Sequence, residues 1–186
     1  VAAAGSAAAA TALVLLRRRL PVGLRAAGAT DHLLAAPPPP LPVSASIETG
    51  FDDEIDVPGA SVHYRAWGQV GAPGLVLLHG GGAHSGWWDH IAPLLAVGRR
   101  VIAPDLTGHG DSARRDEYVR SLWAEEAVAV SDAARLVRPT MIGHSMGGWV
   151  AVFAGVLHPR AMEMIVAIDS PLDTESPEER QPPLRQ

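Results

Sequence analysis

Four short apolar runs, separated by longer stretches with helical spacing, constrain the fold of this 186-residue chain more than any other feature. They occupy residues 74–78 (GLVLL), 101–104 (VIAP), 139–143 (PTMIG) and 164–168 (MIVAI). Continuous apolar runs of this length are typical of strands buried on both faces, as in parallel sheets. Strands that alternate with helices favour βαβ units. We therefore predict an α/β fold with a mostly parallel sheet and flanking helices.

An antiparallel hairpin is predicted upstream of these runs. Residues 47–58 and 60–67 form its two strands, and the Pro58-Gly59 pair makes the turn between them. In the second strand, apolar residues alternate with His63 and Arg65, as expected for a strand with one buried face. With the hairpin, the predicted sheet has six strands. Helices are predicted from Ser85 to about residue 95, over 118–136 and over 146–158.

The first 45 residues differ in composition from the rest of the chain. They are rich in alanine and contain a run of prolines at 37–40. We predict a disordered leader over 1–45 and a folded domain over 46–186. The apolar stretch 1–16 is shorter than a membrane span and lacks a preceding charged region, which disfavours a membrane association. A signal or anchor remains an alternative to the predicted cytoplasmic location.

Charge and cysteine content exclude several classes of site. The formal net charge of -5 offers no basic surface for nucleic acid, so we expect no nucleic-acid partner. The chain has no cysteine, which excludes disulfides, thiolate metal sites and a cysteine nucleophile. Oligomeric state is not predictable from these features.

A serine lies between glycines in the segment Gly143-His144-Ser145-Met146-Gly147, between a predicted strand and a predicted helix. In this context the G-x-S-x-G pattern predicts a sharp elbow that holds a nucleophilic serine in a strained, positive-φ conformation. The glycines on either side avoid clashes at the turn. The alternative is an ordinary tight turn between strand and helix.

A glycine run, His79-Gly80-Gly81-Gly82, follows the upstream buried strand. Such a loop supplies backbone N–H groups that stabilise a negatively charged oxygen formed during acyl transfer. We predict that the N–H groups of Gly81 and Met146 form this oxyanion hole, and that Gly80 and Gly82 line the substrate pocket. The P-loop and dinucleotide fingerprints are absent, which disfavours a phosphate-binding loop.

The segments LVLLHGGG, APDLTGHGDS and IGHSMGGW occur in the order found in α/β-hydrolases, and the chain resembles the first part of such an enzyme over about 56–171. The resemblance implies a serine hydrolase of the esterase or lactonase kind, acting on a small acyl substrate without a metal or organic cofactor. Trp87 is a candidate wall of its acyl pocket, although helix-core packing is the commoner role of such aromatics. The resemblance also makes His109 a structural residue.

The resemblance implies a nucleophile, an acid and a late histidine in that order. The last histidine, His158, ends the helix that starts at the nucleophile, about 18 Å away. His79 and His84 flank a loop that the family uses for the oxyanion. We therefore expect the fold to be truncated after its sixth strand, with the catalytic histidine absent and the edge of the 164–168 strand unpaired. Asp169, which ends that strand, is a candidate acid, because some members of the family carry the acid there.

The leading hypothesis is a parent enzyme that hydrolyses esters, thioesters or lactones through an acyl-enzyme on Ser145, with this chain alone inactive. Two alternatives stay open. The chain is an inactive fragment or a binding module, or the parent is an acyltransferase or a carbon–carbon bond hydrolase on the same fold.

Overall fold

The computed structural model describes residues 12–15, as backbone, and 50–170. The strands are β1 (Ala12–Leu15), β2 (Phe51–Val57), β3 (Ala60–Trp67), β4 (Gly74–Leu78), β5 (Arg100–Pro104), β6 (Thr140–His144) and β7 (Met164–Ile168). The α-helices are α1 (Ala92–Leu95), α2 (Arg120–Ala133) and α3 (Met146–Leu157), and a 3₁₀ turn covers Ser85–Trp88.

The strands form one mixed sheet in the order β1-β7-β6-β4-β5-β3-β2. The pairs β4–β5, β4–β6 and β6–β7 are parallel, while β2–β3 and β3–β5 are antiparallel. This confirms the predicted α/β fold, with its parallel centre and N-terminal hairpin. The carboxyl ends of β4, β6 and β7 lie together at one edge of the sheet, where ligands bind in open α/β sheets.

Alternate residues of the central strands face two separate cores. Val76 and Leu78 of β4 point into the larger core, which α2 and α3 complete with residues such as Trp123. Leu77 points the other way, into a smaller core that includes Trp88 of the 3₁₀ turn. Because both faces of the sheet are covered, its central strands are continuously apolar.

The prediction of one helix from Ser85 to about residue 95 is wrong. The chain instead forms the 3₁₀ turn Ser85–Trp88 and then restarts as the short α1 (Ala92–Leu95). Pro93 lies at the start of α1, where its missing N–H is tolerated, but in the interior of a longer helix it would break the hydrogen-bond ladder. The two pieces therefore replace one continuous helix.

Strand β1 (Ala12–Leu15) lies inside the segment predicted to be a disordered leader, so these four residues differ from that prediction. They pair antiparallel with β7, with Ala12 opposite Ile168 and Leu15 opposite Ile165. The prediction that the edge of β7 is unpaired is therefore also wrong. A strand edge offers free backbone N–H and C=O groups, and β1 pairs with those of β7. The rest of the leader and its boundary near residue 46 lie outside the described residues.

None of the helices in the described part of the chain has both the length and the apolar character needed to cross a membrane.

Candidate active site

Ser145 lies at the junction of β6 and α3 with φ 50° and ψ −114°. This conformation is strained for a residue with a side chain and costs on the order of 1–3 kcal/mol. A Cβ atom at Gly143 would lie 2.1 Å from the carbonyl oxygen of Gly147. One at Gly147 would lie 2.3 Å from the carbonyl oxygen of Leu78. The glycine spacing is therefore required by backbone contacts within the turn and with the end of β4.

The turn is fastened to the neighbouring strand by its backbone. The Ser145 N–H donates to the carbonyl of Ile168, the last residue of β7, over 2.9 Å. The Gly148 N–H donates to the Ser145 carbonyl over 3.1 Å. These bonds fix the serine at the carboxyl edge of the sheet, directly before the amino end of α3.

The glycine loop passes over this turn. A Cβ atom at Gly80 would lie 3.0 Å from His144 Nδ1 and 3.4 Å from Ser145 Cβ, and one at Gly81 would lie 3.9 Å from Met146 Sδ. Within residues 50–170, no backbone hydrogen bond uses the N–H of Gly81 or of Met146. The structure thus brings the glycine loop close to the serine, which Met146, the first residue of α3, follows directly. An oxyanion hole formed by the N–H groups of Gly81 and Met146 remains a prediction.

Gly82 ends the glycine loop, and Trp87 lies in the 3₁₀ turn that follows it. Gly82 is exposed, has φ +71°, and has no heavy atom within 4 Å of its Cβ position, so glycine is required there by the backbone conformation and not by a close contact. The Trp87 ring lies 4.8 Å from the ring of His144. Trp88, its neighbour in sequence, instead packs into the smaller core. A role of Gly80, Gly82 and Trp87 in a substrate pocket remains a prediction.

His79 holds the glycine loop in place. Its side chain is completely buried, its Nδ1 donates to the Gly80 carbonyl over 2.8 Å, and its Nε2 accepts the Leu106 N–H over 3.1 Å. Burial lowers the pKa of His79 to about 4. A neutral imidazole with both nitrogens engaged cannot take the proton of Ser145. Sequence reasoning missed this structural role because the Leu106 partner lies 27 residues away.

Asp105 connects the loop that follows β5 to the 3₁₀ turn and to β3. Its buried carboxylate accepts hydrogen bonds from the backbone N–H groups of Ser85 and Asp111 and from His63 Nδ1. Burial alone would raise the pKa of Asp105, but these hydrogen bonds outweigh it and lower the pKa below its usual value. Sequence reasoning missed this role of Asp105 because two of its partners, His63 and Ser85, come from distant segments of the chain.

Among the described residues, one set of side chains is close enough to share a cation. The ligand atoms of His63, Asp105 and Asp111 all lie within 4.8 Å of one another. The oxygens of Asp105 already accept three protein hydrogen bonds, so this set serves to brace the loops.

No histidine of the described residues forms a hydrogen bond with the Ser145 hydroxyl. His158 Nε2 lies 2.9 Å from Glu125 Oε1, at the far end of α3. His109 packs 4.9 Å from the ring of His79, and its Nδ1 lies 3.2 Å from the Leu106 carbonyl oxygen. His144 points its Nδ1 toward Gly80.

Asp169 follows β7 with φ 47° and an exposed side chain. It comes directly after Ile168, whose carbonyl binds the Ser145 N–H. The structure therefore places Asp169 at the same sheet edge as the serine, with no hydrogen bond to a described histidine. Its role as the catalytic acid remains a prediction.

Comparisons with known proteins agree with this architecture. A family model described as the alpha/beta hydrolase family matches residues 75–186. The chain is 37% identical over 101 residues to 2-hydroxymuconate semialdehyde hydrolase of Pseudomonas sp. (strain CF600), covering 52% of this chain and 36% of that protein. It is 30% identical over 147 residues to bifunctional epoxide hydrolase 2 of Rattus norvegicus, covering 76% of this chain and 26% of that protein.

Among solved structures, the thioesterase domain from the curacin biosynthetic pathway matches with a TM-score of 0.56 and 26% identity, covering 61% of this chain and 43% of that domain. The chain spans well under half the length of each of these three proteins. Since the family model covers more than half of the chain and the sheet has the matching architecture, the chain belongs to the α/β-hydrolase family.

Proposed function

We propose that the protein is a serine-dependent hydrolase of carboxylic esters, thioesters or lactones, with Ser145 as the nucleophile. The observation that carries this proposal is the strained turn at Ser145, whose Cβ lies 3.4 Å from the Cβ position of Gly80 in the glycine loop. The N–H groups of Gly81 and Met146, which no backbone hydrogen bond within residues 50–170 uses, are the proposed oxyanion donors. The relatives are named as hydrolases or, for the solved domain, as a thioesterase, and these names support the same reaction class.

The proposed chemistry begins with attack of Ser145 Oγ on the substrate carbonyl carbon. The carbonyl oxygen becomes an oxyanion, which the N–H groups of Gly81 and Met146 stabilise. The amino end of α3 (Met146–Leu157) adds a favourable dipole at the same place. The tetrahedral intermediate expels the alcohol or thiol and leaves an acyl-enzyme, which water then hydrolyses.

A general base must accept the Ser145 proton during this attack. We place that base outside residues 50–170, because no histidine among the described residues forms a hydrogen bond with the Ser145 hydroxyl. Asp169, at the same edge of the sheet, is the proposed acid that would orient the base. It follows that residues 50–170 alone turn over substrate slowly.

Serine at the nucleophile position disfavours epoxide hydrolysis of the kind named for the rat relative, since the epoxide hydrolases of this fold depend on aspartate. Hydrolysis of a small semialdehyde, the activity named for the Pseudomonas relative, is the second candidate. Both hydrolytic candidates use Ser145 in the same way, and a panel of substrates separates them.

Labelling with a small alkyl fluorophosphonate tests the proposal, because this reagent modifies activated serines. We expect slow, stoichiometric labelling of Ser145, located by peptide mass spectrometry. Added imidazole should accelerate labelling at least ~10-fold, because it supplies the missing general base. Pyrazole is the matched control, since it has a similar shape but is a far weaker base.

Two outcomes would contradict the proposal. Labelling that is unchanged in Ser145→Ala would show that another residue reacts. Labelling of Ser145 that is fast without imidazole would show that a base is already present, and would overturn the placement of the base outside residues 50–170.

A further inference from the structure

Trp87 is the most exposed of the five tryptophans, all of which lie within the described residues. Its exposed fraction is 48%, whereas the exposed fractions of Trp67, Trp123 and Trp149 are 8% or less. A tryptophan exposes a large apolar surface, so a half-exposed ring next to a reactive group is a candidate ligand surface.

The ring lies beside the residue that precedes the proposed nucleophile. Its centroid is 4.8 Å from that of His144, with the two planes tilted by 57°. His144 directly precedes Ser145, and its Nδ1 faces Gly80 of the glycine loop. The indole is therefore part of the same surface as the elbow and the loop that crosses it.

The turn that carries Trp87 is held firmly. The backbone N–H of Trp87 donates to the His84 carbonyl over 3.0 Å, and the His84 side chain accepts the Gly86 N–H over 3.2 Å. The Ser85 N–H is bound by the buried Asp105 carboxylate. A ring on a braced turn loses little conformational freedom when it binds a ligand, which favours specific contact.

Trp88 anchors the other side of this turn. It packs against the smaller core, which includes Trp67, Leu77 and Val101. The two neighbouring tryptophans thus have different environments. Trp88 is fixed in the core and Trp87 lies at the surface, with their ring centroids 6.1 Å apart. Packing of the core therefore does not require the exposed ring of Trp87.

We propose that Trp87 is a specificity-determining residue that stacks on a planar aromatic or conjugated group of the substrate held at Ser145. This inference rests on the proposed function, because it places the substrate at Ser145. Aromatic rings attract one another through offset or edge-to-face contacts beyond the burial of their surface. A saturated ring of the same size lacks this attraction, so the site should distinguish the two.

The test compares binding of methyl 3-phenylpropanoate and methyl 3-cyclohexylpropanoate to the Ser145→Ala chain by calorimetry. The two esters differ only in ring saturation, and the cyclohexyl ester is the more apolar. We expect the phenyl ester to bind about 5-fold more tightly, within the range of measured aromatic pairs. The preference should persist in Trp87→Phe and disappear in Trp87→Leu, which retains apolar character without a ring.

Trp87→Leu should melt at the same temperature as the parent chain, because the ring is half exposed and outside the cores. Equal binding of the two esters, or a phenyl preference that survives Trp87→Leu, would overturn the inference. Labelling of Ser145 without a phenyl preference would defeat this inference alone. A Trp87-dependent preference in a chain whose Ser145 does not react would defeat the proposed function alone.

Discussion

Ser145→Gly is expected to abolish fluorophosphonate labelling and, at the same time, to raise the free energy of unfolding by about 1 kcal/mol. The hydroxyl is the proposed reacting group, so its removal eliminates the adduct. The strained φ of 50° is relieved when the residue has no Cβ. The greater freedom of glycine in the unfolded chain offsets part of that gain, which is why the net effect is small.

Ser145→Ala separates the two effects. It removes the hydroxyl but keeps the Cβ and thus the strain, so labelling should be lost while stability stays near that of the parent. In a complete enzyme, loss of the nucleophile should lower kcat by a factor on the order of 10⁶. Denaturant unfolding of the three chains provides the measurement. A Ser145→Gly chain that is less stable than Ser145→Ala would show that the turn is not strained.

Acidification is expected to destabilise the fold through His79. Its pKa in the fold is lowered by burial to about 4, from an ordinary value of 6.5. Between these two values the unfolded chain binds a proton that the folded chain does not. The free energy of unfolding should therefore fall as the pH decreases from 6.5 to 4, by about 3 kcal/mol in total.

His79→Gln should remove most of this slope, whereas His90→Gln, at an exposed position, should leave it unchanged. The charges that face His79 are those of His109, His84 and Asp105. Asp105 contributes in a different window, because its pKa is lowered below 3.8 and its stabilising effect is lost only below that pH. Urea unfolding at a series of pH values measures the slope. An equal slope in His79→Gln would contradict the assignment to His79.

The central strands were predictable because local sequence and final environment agree. The runs at Gly74–Leu78 and Met164–Ile168 have the bounds predicted from their apolar residues. The turn at Ser145 was also predictable, since glycines at fixed distances flank it between a strand and a helix. In both cases a local sequence pattern marks the element, even though the elbow glycines also meet the distant end of β4.

The parts that were not predictable depend on contacts between distant segments. The sequence shows His79 only as a histidine beside a glycine run, and its burial follows from the Leu106 N–H that it binds. Asp105 likewise gains its role from Ser85 and His63. The different environments of Trp87 and Trp88 follow from the 3₁₀ turn, which helical periodicity did not reveal.

A crystal structure of the chain after reaction with a small fluorophosphonate tests the geometry at Ser145 most directly. We expect phosphorus bonded to Ser145 Oγ, with the phosphonyl oxygen about 2.7–3.1 Å from the backbone nitrogens of Gly81 and Met146. A phosphonyl oxygen that faces solvent, or that binds only side chains, would contradict the account. So would an adduct on any other residue.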